Sequence, residues 1–107
     1  MASFTLHDLA ARVKERAQAS ADVSYTRKLL DRGIAHCAKK LGEEAVETTI
    51  AAIAEDRERL VAETADLLYH LFVVLEARGV SLAEVEAALA ARTAQSGLDE
   101  KAARPRV

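Results

Sequence analysis

The chain has 107 residues, the size of one domain, and no linker-like run or shift in composition divides it. Acidic and basic residues nearly balance, giving a formal net charge of -2, and the only aromatic side chains are two tyrosines and two phenylalanines. This combination argues against a nucleic-acid groove or a base-stacking platform.

The number of cysteines and the length of the apolar runs indicate the cellular compartment of the protein. The single cysteine, Cys37, excludes an internal disulfide framework and fits a reducing compartment. The N-terminal residues lack the charged-then-apolar layout of a signal peptide, and the longest aliphatic run, 67–75, is too short to cross a bilayer. We therefore expect a cytoplasmic protein that binds neither membranes nor nucleic acid.

Helical periodicity begins near the N-terminus, and no alternating run of β-branched residues predicts a strand. Thr5, with Asp8 three residues on, can cap a first amphipathic helix that continues to Ala17. Ser24 is expected to begin a short second helix that Gly33 ends. A basic cluster on this helix is open to two interpretations, a solvated face or a phosphate clamp. Its members are Arg27, Lys28 and Arg32.

Two longer helices are predicted over roughly 34–54 and 57–78, the second ended by Gly79. Between 67 and 75 the fourth helix is apolar on nearly every side, unlike a helix at the surface of a small domain. Such a helix has too few neighbours within one short chain. We therefore predict that it packs in a homodimer interface.

Ser81 and Glu84 form a capping box, and a fifth helix is expected to follow to about Gln95. Residues 98–107 are polar and basic, so we expect a loosely ordered tail after a single domain over 1–97. The predicted fold is all-α, an antiparallel bundle of four to five helices completed by dimerisation. The residues of the fifth helix expected to face inward are Leu82, Val85 and Leu89.

Two acidic pairs lie on the two long helices. Glu44 and Glu47 are three residues apart, which places both on one helix face. The same spacing relates Glu63 and Asp66. If the chain folds back near Glu55, the two pairs are symmetric about it and, at about 1.5 Å of rise per residue, stand at the same height on facing helices. The spacing therefore predicts four converging carboxylates.

Four converging carboxylates call for a positive charge, because ionised groups left unpaired in a bundle are costly. Mg²⁺ is the natural candidate, since it takes oxygen ligands and keeps waters for substrate phosphates. The competing interpretation is a solvated acidic face, on which such spacings are common. Glu43 is a further candidate ligand, base or partner of the site; the alternative for it is a salt bridge to Lys39 or Lys40.

The remaining ionisable candidates have mostly structural interpretations. His70 lies four residues after Asp66 and is either a hydrogen-bonded core histidine or a group that orients a ligand carboxylate. Cys37 is expected to be a small buried apolar side chain. His7 and His36 are expected at the surface.

Three functional classes compete on this evidence. The first is a Mg²⁺-dependent phosphoanhydride hydrolase. The second, a di-iron carboxylate bundle, requires Glu-x-x-His on two helices, a motif that does not occur here. The third is a helical dimer used only for interaction, which would tolerate replacement of all four acids by glutamine.

The motif Glu43-Glu44-x-x-Glu47 followed by Glu63-x-x-Asp66 resembles the metal signature of the all-α NTP pyrophosphohydrolase (MazG-like) superfamily. The flanking blocks 40–47 and 65–71 are similar to the phosphoribosyl-ATP pyrophosphohydrolases (diphosphatases) of histidine biosynthesis. Two further blocks share this resemblance, which spans nearly the whole chain after Ser3. They are 24–33 and 92–101.

The resemblance implies hydrolysis of the α–β phosphoanhydride of phosphoribosyl-ATP, giving phosphoribosyl-AMP and pyrophosphate. It also implies a homodimer and Mg²⁺ held by the four paired acids. Glu43 would orient the attacking water or accept its proton. Pyrophosphohydrolysis of free nucleoside triphosphates stays open as an alternative, since the same acids would serve either substrate.

The resemblance further implies a basic and aromatic surface for the nucleotide. Lys28 and Lys40 would neutralise the phosphates, a role that Arg27 or Arg32 would share. The residues expected to contact the nucleoside or ribose are Tyr25 and Thr26.

Overall fold

The computed structural model describes residues 3–94 together with Lys101 and Arg104. Over this part of the chain it is all-α, as predicted, with no strand. The helices are α1 (Leu6–Ala17), α2 (Tyr25–Asp31), α3 (Ile34–Ala54), α4 (Arg57–Ala77) and α5 (Leu82–Thr93). Within the described residues, none of these helices combines the length and apolar character that a bilayer-spanning segment needs. Most of the predicted tail, 98–107, and the predicted end of α5 at Gln95 lie outside the described residues.

Both predicted capping boxes are present. The main-chain N–H of Asp8 donates to the Thr5 hydroxyl at 3.1 Å, while the Thr5 N–H donates to the Asp8 carboxylate at 2.9 Å. Ser81 and Glu84 make the same reciprocal pair at the start of α5. At Gly79 the backbone takes φ +67°, which ends α4 and turns the chain into α5. The turn residues therefore fix where α1 and α5 begin.

The core is a small cluster drawn from the first four helices. Cys37 is fully buried, as expected, and its thiol donates to the carbonyl oxygen of Leu29 at 3.2 Å. Leu71, Val74 and Leu75 of α4 pack against this cluster. The buried apolar members are Val13, Leu29, Cys37, Phe72 and Val73.

The apolar stretch 67–75 therefore has neighbours within its own chain, on α1, α2 and α3. This coverage is partial, since Leu71, Val74 and Leu75 are only partly buried, so the packing of this stretch in a homodimer interface stays a prediction. Leu89, expected to face inward, is instead 55% exposed, while Leu82 and Val85 are partly buried.

α3 and α4 form the predicted antiparallel hairpin. Glu55 is the C-cap of α3, and Asp56 caps α4 by accepting from the Arg59 N–H at 2.8 Å. The fold-back thus lies where the symmetry of the acidic pairs placed it. One face of α3 is apolar yet exposed in the single chain, a surface that we call the hairpin face. It comprises Val46, Ile50 and Ile53, spaced by four and three residues.

Candidate active site

Three of the predicted carboxylates converge between α3 and α4. One carboxylate oxygen from each of Glu44, Glu63 and Asp66 lies within 4.8 Å of the other two. Glu63 is buried and Glu44 is largely so, whereas Asp66 is exposed at the mouth of the group. We call these three residues the acidic cluster.

The fourth predicted acid, Glu47, lies outside that group of three but close to it. Burial raises the pKa of both Glu44 and Glu63, and the carboxyl group of Glu47 raises the pKa of each further. For Glu63 the Arg59 guanidinium, 3.1 Å away, opposes the rise in pKa. Mutual repulsion therefore extends to all four acids.

The chemistry of the acidic cluster fits a hard divalent cation. Glu44 Oε2 and Glu63 Oε2 are buried and have no hydrogen-bond partner among the described residues. A buried carboxylate oxygen without a donor is costly, and oxygen donors are what Mg²⁺ prefers. The guanidinium of Arg59 pairs with Glu63 Oε1 at 3.1 Å but reaches neither of these two Oε2 atoms.

His70 is buried beside the cluster. Its Nε2 lies 3.9 Å from Glu44 Oε1, beyond hydrogen-bond distance, and its Nδ1 has no partner among the described residues. Burial, and then the positive charge of Lys40, lower the pKa of the imidazole. It packs edge-on against the rings of Tyr69 and Tyr25, at centroid distances of 5.1 and 6.5 Å. His70 is thus a core histidine, but not the hydrogen-bonded one expected.

A basic cleft opens next to the acidic cluster, with a volume of about 520 Å³. Four of the six predicted substrate-binding residues line it, namely Tyr25, Lys28, Arg32 and Lys40. Lys40 precedes Glu44 by one helical turn, so the cleft and the acids adjoin along α3. The full lining of this basic cleft is Tyr25, Lys28, Leu29, Asp31, Arg32, His36 and Lys40.

The other two predicted substrate-binding residues face the protein. Thr26 is buried, and its hydroxyl lies 2.6 Å from the hydroxyl of Tyr69. Arg27 donates to the Asp31 carboxylate at 2.9 Å and to the carbonyl oxygen of Ala17 at 2.8 Å. Both side chains hold α2 against its neighbours rather than facing the cleft.

Glu43 makes the ion pair that was its structural alternative. Its carboxylate lies 3.3 Å from the Lys40 ammonium, and its side chain is 47% exposed. The pair raises the pKa of Lys40. Glu43 therefore pairs with a residue that lines the basic cleft and is not one of the three acids of the acidic cluster.

Three residues near the site were not predicted. His36 is half-buried in the cleft although it was expected at the surface, Arg59 pairs with Glu63, and Thr48 bonds across the hairpin. The spacing held a signal for two of them. His36 lies four residues from both Arg32 and Lys40, and Arg59 lies four before Glu63.

Comparison with known proteins gives one consistent result. The family model described as phosphoribosyl-ATP pyrophosphohydrolase matches residues 6–93. Phosphoribosyl-ATP pyrophosphatase of Nitrobacter winogradskyi is 64% identical over 99% of this chain and 91% of its own length. Phosphoribosyl-ATP pyrophosphatase 1 of Rhodopseudomonas palustris is 63% identical over 99% of both chains, and that of Bradyrhizobium diazoefficiens 64% over 97% and 98%. The chain belongs to the phosphoribosyl-ATP pyrophosphohydrolase family.

Proposed function

We propose that this protein hydrolyses phosphoribosyl-ATP to phosphoribosyl-AMP and pyrophosphate, the step expected from its resemblance to enzymes of histidine biosynthesis. The observation that carries the proposal is the acidic cluster beside a cleft lined with cations, because Glu44 Oε2 and Glu63 Oε2 are buried without a donor in the described part of the chain. The names of the relatives supply the substrate. The free thiol of Cys37 agrees with a reducing compartment, and we propose the cytoplasm.

Glu44, Glu47, Glu63 and Asp66 are proposed to hold Mg²⁺. When bound, the ion supplies neutralisation of the phosphate oxygens and lowers the pKa of a water in its shell. The support for this ligand set is the approach of three of the four carboxylates to within 4.8 Å and the effect of the fourth, Glu47, on two of them.

In this reaction the side chains position the substrate and neutralise charge, and no covalent intermediate with the protein is needed. A water oxygen bonds to the α- or the β-phosphorus while the bridging α–β P–O bond breaks, and the group that leaves takes the electron pair of that bond. Lys40, one turn before Glu44 on α3, is proposed to neutralise the charge that develops on the leaving group. Glu43 is proposed to orient the water or accept its proton, through a carboxylate that Lys40 already positions at 3.3 Å.

We further propose a homodimer, formed through the hairpin face. Ile53 is 83% exposed, Val46 59% and Ile50 51% in the single chain. Pairing two hairpins would bury this face in a bundle of four helices. Leu71 does not belong to the proposed interface, because it is half-buried against the core of its own chain.

The proposed substrate is tested by comparing pyrophosphate release from phosphoribosyl-ATP with that from dCTP and dUTP, each with and without Mg²⁺. We expect release from phosphoribosyl-ATP to exceed the others by at least two orders of magnitude at low substrate concentration. Comparable rates on all three would instead assign the protein to the hydrolysis of free nucleoside triphosphates.

A further inference from the structure

The basic cleft contains two cations that the protein leaves unpaired. Asp31 is neutralised by Arg27 at 2.9 Å, and Lys40 by Glu43 at 3.3 Å. The side chains of Lys28 and Arg32, by contrast, make no ion pair or hydrogen bond with another described residue. Their charges face an open volume of about 520 Å³. The cleft therefore carries a net positive charge available to an anion.

The N-terminus of α3 adds to this positive potential. Its N-cap is Gly33, at φ +93°, which has no side chain to accept from the first amides of the helix. Arg32 precedes this cap and His36 lies in the first turn after it, and both line the cleft. A helix N-terminus with uncapped amides favours an anion, and this one lies at the cleft that the cationic side chains of Lys28 and Arg32 line.

The end of the cleft formed by Arg32 and His36 is distant from the acidic cluster. His36 precedes Glu44 by eight residues on one helix, a separation of about 12 Å along the axis. Tyr25 lines the same cleft and is 55% exposed, and its ring packs 6.5 Å from the ring of His70, the residue beside Glu44. The order along the surface is therefore acids, aromatic ring, cations.

Phosphoribosyl-ATP carries its charged groups in the same order. Its triphosphate is at one end, the adenosine follows, and a second ribose on the base ends in a 5-phosphate. Free nucleoside triphosphates lack that second phosphate. A protein with a separate anion site beyond its aromatic surface thus has the means to distinguish the two substrates.

We propose that Lys28, Arg32 and His36 bind the 5-phosphate of the second ribose and so select phosphoribosyl-ATP over free nucleoside triphosphates. This inference rests on the proposed function. It gives Lys28 a role at the far phosphate rather than at the pyrophosphate. Burial and the charge of Arg32 lower the pKa of His36, so at neutral pH its ring contributes a single N–H donor.

The test compares Arg32→Gln and Lys28→Gln with Lys39→Gln, an exposed lysine of α3 that lies outside the cleft lining. The KM for phosphoribosyl-ATP is measured beside the inhibition constant of free ATP as a competitor. Loss of one charged phosphate contact should raise the KM for phosphoribosyl-ATP about ten- to a hundredfold and the inhibition constant of ATP less than about threefold. Lys39→Gln should change neither.

Equal rises in both constants, or no rise in either, would overturn the inference, since the cleft would then serve the triphosphate or no phosphate. Binding of ribose 5-phosphate, followed by the NMR signals of His36, separates this outcome from failure of the proposed function. Wild-type binding that Arg32→Gln weakens would support the anion site even if phosphoribosyl-ATP is not hydrolysed. Absence of wild-type binding would count against the site whatever the protein hydrolyses.

Discussion

The hydroxyl of Thr48 on α3 lies 3.1 Å from the main-chain carbonyl oxygen of Glu63 on α4. The same hydroxyl lies 2.8 Å from the carbonyl oxygen of Glu44, one turn earlier on its own helix. Thr48 thus connects the backbones that carry two residues of the acidic cluster. We infer that this contact sets the register of the hairpin at the height of the site.

Thr48→Val keeps the shape of the side chain and removes the hydroxyl. Because small displacements of positioned groups have large effects on catalysis, we expect kcat to fall roughly ten- to a hundredfold and the Mg²⁺ concentration for half-maximal rate to rise. Thr48→Ser, which retains the hydroxyl, should restore both values. Wild-type kinetics in Thr48→Val would show that the register does not depend on this bond.

Asp66→Asn and Glu47→Gln test the proposed ligand set. Each replaces one carboxylate by an amide of similar size, so we expect loss of Mg²⁺-dependent pyrophosphate release with an unchanged far-ultraviolet circular dichroism spectrum. Glu58→Gln is the matched control, since Glu58 is an exposed acid on α4 away from the cluster. Full activity in either variant would remove that residue from the ligand set.

The acidic cluster predicts an unusual pH dependence for the metal-free protein. Burial and the neighbouring acids raise the pKa of Glu44 and Glu63 in the folded state. A raised folded-state pKa contributes stability below the unfolded-state pKa, and this contribution is lost as pH rises through the folded value. The metal-free fold should therefore gain stability as pH falls from neutral, until other groups titrate.

Glu44→Gln isolates this effect, because it removes a largely buried charge and keeps the shape. In chelator at neutral pH we expect its Tm to exceed that of wild type by roughly 4–8 °C, the shift that about 1 kcal/mol produces in a domain of this size. The difference should shrink as pH falls, because the raised pKa of Glu44 makes the wild type take up a proton at a higher pH than an ordinary glutamate would. A lower Tm for Glu44→Gln at neutral pH would contradict this account of the cluster.

The proposed dimer is tested at the hairpin face. Ile53→Glu introduces a charge at the most exposed apolar side chain described, and should give a monomer in sedimentation velocity. Val23→Glu is the control, since Val23 is 79% exposed but lies in the turn before α2. If wild type and Ile53→Glu sediment alike, this face is not the interface.

Local rules predicted most of the fold. Capping boxes at Thr5 and Ser81 and glycines at 33 and 79 mark helix ends through interactions only a few residues apart, so sequence alone located them. The symmetry of the acidic pairs about Glu55 works for the same reason, because an antiparallel hairpin relates its two helices by simple counting.

Packing between helices that are distant in sequence was harder to predict. The partial coverage of the apolar stretch 67–75 by α1 and α2 depends on how those helices cross, which spacing does not reveal. The direction of each α2 side chain depends on the same crossing and could not be predicted from spacing. Thr26 and Arg27 turn inward, while Lys28 and Arg32 face the cleft. His36 was missed although Lys40 lies four residues after it on α3, because the rest of the cleft lining belongs to α2 and its C-terminal end.

Pyrophosphate release from phosphoribosyl-ATP, measured on metal-stripped protein as Mg²⁺ is added back, tests the central proposal most directly. We predict no release in chelator, a saturable return with added Mg²⁺, and no return in Asp66→Asn. Undiminished release in chelator would show that the carboxylates between α3 and α4 do not act by holding a cation.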